Sequence, residues 1–140
     1  MFSYGAPRPA DAIAGAEAAM RGLAPDGIGM VPLPPLILGI PEDHERHDWV
    51  AQRLTPHPLK TWLDPIALPN GGADGLPGTY ILCTRPMLSQ TQFAWVADQK
   101  RGAANWNVVE LATGHDAMVT DPHGLAAIVV KAASAKKESR

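Results

Sequence analysis

At 140 residues the chain has the length of one ordinary domain, and a compact fold of that size removes roughly 68–70% of its unfolded surface from water. Its 46% apolar content supports a core, while 19% charged residues and a net charge of −2 exclude the composition of a disordered chain. Lysines gather mainly in the tail KAASAKKESR, leaving no basic stripe with interleaved aromatics to track a phosphate backbone, so nucleic acid is not an expected partner.

Cys83 is the only cysteine, so no internal disulfide forms, and its simplest use is as a small buried hydrophobe. The start MFSYGAPRPADA lacks a charged segment followed by an apolar one and does not read as a secretory signal. VPLPPLILGI is far short of the roughly 20 residues that span a bilayer, and its prolines break a helix. The expectation is a cytoplasmic protein without membrane association.

Taken along the chain, Asp11–Leu23 reads as a helix: Ile13, Ala16, Met20 and Leu23 recur at helical spacing behind an Asp able to cap the first turn. Residues 24–41 then carry five prolines and three glycines, which exclude regular structure through most of the stretch. A second helix is predicted from Glu42 to about Leu54, with acidic residues in its first turn and Trp49, Val50 and Leu54 as its apolar members. Only a helical turn or two around Leu59–Leu63 is expected from the proline-rich TPHPLKTWLDPIALPN, and GGADGLPG is a wide turn or linker.

The second half is more regular. TYILC (79–83) is a short apolar run with β-branched and aromatic residues, suited to a strand buried on both faces. Ser89 and Gln92 offer a capping box, Phe93, Val96 and Ala97 form an apolar stripe, and Gly102 supplies the stop. WNVVEL (106–111) reads as a second strand. Asp121 then caps a last helix, Pro122 takes its first position, and Leu125, Ile128, Val129 and Ala132 line one face.

The order β-α-β-α predicts neighbouring parallel strands joined by a crossover helix, with ligands beyond their carboxyl ends. His115 lies at that end, in a short Gly-containing loop between the second strand and the capped helix.

That arrangement resembles the way α/β-hydrolases present their catalytic histidine. TGHDAMVTDP is similar to the His-loop of the branch that includes plant methylesterases, hydroxynitrile lyases and related bacterial esterases, and His115 and Pro122 match its His and helix-opening Pro. TYILCT looks like the preceding catalytic-acid strand, QFAW (92–95) is similar to the Gln and Trp of its following helix, and RLTPHPLKTW (53–62) resembles the cap of bacterial members. The likeness covers residues 30–131.

What the resemblance implies is an α/β class protein holding a partial α/β-hydrolase fold, its cap helices plus the C-terminal β-α-β-α unit. Residues 1–78 would be a helical, Pro-rich, cap-like segment, 79–135 the C-terminal unit, and 136–140 a charged tail. The implied activity is carboxylesterase-like hydrolysis of a small ester, with His115 shuttling the nucleophile's proton and Trp49, Trp62 and Met87 lining an acyl pocket. Plain core packing explains the last three equally well. No cofactor is implied.

Two departures stand against the pattern. The nucleophile elbow G-x-S-x-G occurs nowhere in residues 1–140, and Ser3, Ser89, Ser134 and Ser139 have no Gly-flanked strand-to-helix setting. Pro86 occupies the position where the plant members place the triad Asp, and a proline cannot orient an imidazole. Asp116 is adjacent in sequence to His115 and need not face it.

Without the resemblance, a single loop histidine is more often structural than catalytic. His44 and His47, three apart among Asp43 and Glu45, lack a second organised ligand pair and read as a solvated helix face, so no metal site is expected. The leading expectation is an esterase-like polypeptide whose nucleophile lies outside it, either self-associating or paired with a chain carrying the missing strands. The alternative is a non-catalytic binding or interaction module of the same descent.

Overall fold

The computed structural model describes residues 10–69, 71–72, 75–85 and 90–135. In chain order the elements are α1 (Ala10–Gly22), β1 (Gly29–Met30), α2 (His47–Ala51), β2 (His57–Pro58), α3 (Lys60–Leu63), β3 (Gly78–Cys83), α4 (Gln90–Arg101), β4 (Trp106–Leu111), α5 (Ala117–Thr120) and α6 (Pro122–Ala135). Helices and strands are thus mixed, as an α/β class requires. No described helix is long and apolar enough to cross a membrane.

The chain divides into two compact units, one of Met1–Leu33 with Gln52–Asp74 and one of Pro34–Ala51 with Gly75–Arg140. In the first, β1 and β2 form a two-residue antiparallel bridge with Met30 opposite His57. Buried Ala24, Met30 and Leu59 make its core, against which Met20, Leu23 and Leu63 pack. Met20 and Leu23 belong to the apolar stripe expected of α1, while the side chain of Ile13 lies outside the described residues. The entry to β1 is set by Asp26, whose Oδ1 accepts the N–H groups of Ile28 at 2.8 Å and Gly29 at 2.9 Å. Those two donors hold its carboxyl below the usual aspartate range.

The second unit contains the parallel pair. β3 and β4 run in register from Gly78 opposite Trp106 to Cys83 opposite Leu111, as the β-α-β spacing predicts. Between them α4 spans 12 residues and packs on both strands, with Ala97 wholly buried and the Tyr80 hydroxyl donating to the Phe93 carbonyl at 3.3 Å. α6 packs on β4 and α5. Its start is as expected: Asp121 Oδ1 accepts the Gly124 N–H at 2.9 Å, and Pro122 needs no donor there.

Four local expectations need correction. The helix predicted over 42–54 is reduced to His47–Ala51, because four-residue turns and the His44 ring take its first amides. His44 N–H donates to Pro41 O at 3.1 Å and His47 N–H to His44 O at 2.9 Å, while the His44 ring accepts the Arg46 N–H at 3.1 Å. β3 is not buried on both faces: only Leu82 is buried and its neighbours are half-covered, since the described sheet has one partner strand. Val129 is 54% exposed and leaves the stripe of Leu125, Ile128 and Ala132, which are half-buried. Finally, the short α5 separates the His115 loop from α6 and was not expected. The Ser89 capping box and the tail 136–140 lie outside the described residues.

Candidate active site

β4 delivers the chain to a loop fixed at nearly every residue. Just past the strand ends, Thr84 N–H donates to Leu111 O at 3.0 Å and Arg85 N–H to Thr113 O at 2.9 Å, so pairing continues as far as the loop. Thr113 is buried, and its hydroxyl lies 2.6 Å from that of Thr120 in α5. The Thr120 proton goes to the Asp116 carbonyl at 3.3 Å, which leaves Thr113 as the donor between the two hydroxyls.

Beside this loop runs the segment Pro34–Ile40. It folds through tight turns, with Ile37 N–H on Pro34 O at 2.9 Å, Gly39 N–H on Leu36 O at 3.0 Å and Ile40 N–H on Pro35 O at 3.0 Å. Ile40 is fully buried. Gly39 has φ +82°, and a Cβ there would lie 2.6 Å from Gly114 Cα and 2.8 Å from His115 N. On the other side of His115, the Asp116 N–H donates to Leu38 O at 3.0 Å. Two glycines thus let two backbones touch, and a hydrogen bond fixes the residue that follows the histidine.

The His115 side chain is exposed at the carboxyl end of the parallel pair. Its ring stacks on Phe93 of α4, with centroids 5.1 Å apart and planes 29° from parallel. Among the described residues its ring nitrogens have no hydrogen-bond partner. Asp116 is half-buried, and burial raises its carboxyl above the usual range while the neighbouring His115 charge acts in the opposite direction. The Cys83 thiol lies 3.9 Å from the His115 carbonyl, and burial, followed by the Asp116 charge, pushes its pKa up. Cys83 is therefore held as a thiol rather than activated as a thiolate nucleophile. It is half-buried, not fully buried.

The remaining candidates are described each in its own unit. Trp49 sits on α2 in the second unit, half exposed, and Trp62 on α3 in the first, edge-on to His57 at 6.1 Å between centroids. Met87 and Pro86 lie outside the described residues, as do Ser3, Ser89 and Ser139. Ser134 is used within α6, donating to Val130 O at 3.0 Å. The His44 ring serves its own turn and His47 Nδ1 faces Asp48 at 3.2 Å. Among the described residues no three His, Cys, Asp or Glu side chains are grouped to hold a metal ion.

Sequence reasoning missed Leu38, Gly39 and the stacking role of Phe93. A glycine directly before the histidine, and another between two large aliphatics in LGIP, are the only traces of that contact in the sequence.

A carbendazim hydrolyzing esterase from Nocardioides sp. is 33% identical to the chain over 97 residues, which is 69% of this chain and 38% of that protein. The relationship is esterase-like. The chain spans less than two fifths of that relative's length. No family model and no solved structure matches the chain.

Proposed function

We propose that the chain is the histidine-bearing part of a serine-type ester hydrolase with an α/β-hydrolase fold, acting on small esters. The observation that carries this reading is His115 itself: an exposed imidazole one short loop beyond the carboxyl end of a parallel strand, on a backbone fixed before and after it. The esterase-like relative supports it.

In that chemistry a serine attacks the ester carbonyl, the imidazole takes the hydroxyl proton and then delivers it to the leaving alkoxide, and water reverses the sequence on the acyl-enzyme. His115 would be the proton carrier. The serine and the oxyanion donors would come from outside these 140 residues, on strands joined to or associated with β3 and β4. The resemblance also offers Trp49, Trp62 and Met87 as acyl-pocket residues, and the proposed location is the cytoplasm, with no cofactor. A second reading, a non-catalytic binding module, is favoured by Pro86 in the position where the resemblance places the orienting acid.

A chimera separates the two. The corresponding segment of the Nocardioides esterase is replaced by residues 30–131 of the chain, which hold both Phe93 and His115, and ester hydrolysis is followed with and without His115→Ala. Turnover that disappears with His115→Ala supports the esterase reading. A folded chimera that is inactive, or indifferent to the substitution, supports the binding module.

A further inference from the structure

We propose that Phe93 is a positioning residue for His115, its ring orienting the imidazole where a catalytic triad uses a hydrogen-bonded carboxylate. The inference deepens the esterase reading and rests on it for the importance of the ring's orientation.

Three observations converge. The backbone around His115 is closely packed, with Gly39 against Gly114 and Asp116 N–H on Leu38 O, so the orientation of the ring turns on rotation about the two side-chain bonds. Phe93 covers one face of the imidazole in a near-parallel stack, which excludes the rotamers that would swing the ring through that space. No acceptor among the described residues holds a ring nitrogen. Asp116, the nearest carboxyl in sequence, bears on His115 through its charge without a hydrogen bond to the ring.

Phe93 is itself well anchored. Its carbonyl accepts the Tyr80 hydroxyl at 3.3 Å, tying this turn of α4 to β3, and Ala97 one turn further along is completely buried. The stacking ring therefore stands on an element packed against both strands that lead to the site.

The test is nuclear magnetic resonance on the full chain with its histidines labelled at Cε1, comparing wild type, Phe93→Leu and Phe93→Tyr. Wild type should show cross-relaxation between Phe93 ring protons and His115 Hε1, an Hε1 resonance shifted by the ring current, and a rigid Cε1–Hε1 vector. Phe93→Tyr should retain all three. Phe93→Leu should leave the Gly39 and Gly114 amides in place while the His115 vector becomes mobile. A mobile His115 or absent cross-relaxation in wild type overturns the proposal without any variant needing to fold. A His115 as rigid in Phe93→Leu as in wild type overturns it as well.

None of these readouts needs substrate or a serine, so they can fail while the esterase reading stands, or succeed while it falls. In the active chimera, Phe93→Leu should lower kcat by roughly two- to tenfold with KM unchanged, and Phe93→Tyr should restore it. An unchanged kcat overturns the positioning role.

Discussion

Gly39 and Gly114 meet backbone to backbone, and the left-handed conformation of Gly39 adds a second reason why no side chain fits there. A Gly39→Ala substitution confronts both obstacles, because the neighbouring atoms are main chain and cannot rotate aside. It should cost about 2 kcal/mol or more in urea denaturation. Gly15, in the middle of α1 with open space around it, is the contrasting site, and Gly15→Ala should stabilise by about 0.5–1 kcal/mol. Asp116 makes a prediction of a different kind. Burial raises its folded-state pKa, so between the unfolded and the folded value the native state binds more proton than the unfolded chain. Its contribution is complete below the ordinary aspartate pKa and is lost as pH rises through the higher folded value. Stability measured by urea denaturation should therefore fall across that window in the wild type and remain flatter in Asp116→Asn.

Among the elements, α6 shows which signals act locally enough to be legible in the sequence. Asp121 accepts the Gly124 amide and Pro122 follows it, so the cap is written in consecutive residues. Asp121→Ala should cost about 1 kcal/mol by urea denaturation, and Asp121→Asn much less, since the amide oxygen can still accept. β3 and β4 were legible for a similar reason, each a run of apolar and β-branched residues between turn formers, with a helical stretch between them long enough for a crossover. The helix expected over 42–54 is shortened because tight turns take the His44 and His47 amides and the His44 ring takes that of Arg46, choices that depend on local geometry and not on propensity. The site divides along the same line. His115 was found from its neighbours in sequence, whereas Leu38, Gly39 and Phe93 reach it only through contacts between distant segments, which leave almost no trace in the local pattern.

On the scale of the whole molecule, the chemistry turns on what accompanies His115 within 140 residues. Free imidazole cleaves activated esters slowly, so purified chain should show at most a trace rate with p-nitrophenyl acetate. Among the described residues the larger factors are absent: Ser134 is committed to the α6 backbone, and Cys83 is kept protonated by burial. Each oxyanion donor alone is worth roughly 10²–10³-fold, and a nucleophile must lie within about 3 Å of its base before the imidazole can act on it. Residues 1–140 should therefore hydrolyse the ester no faster than their His115→Ala variant, even though His115 becomes decisive once the chain is joined to the strands that carry a serine. Initial rates over a range of ester concentrations decide the matter. Saturable turnover that falls by orders of magnitude in His115→Ala would mean that this chain assembles a nucleophile and oxyanion donors of its own, and Asp116, already within the electrostatic reach of the ring, would be the first acid to replace.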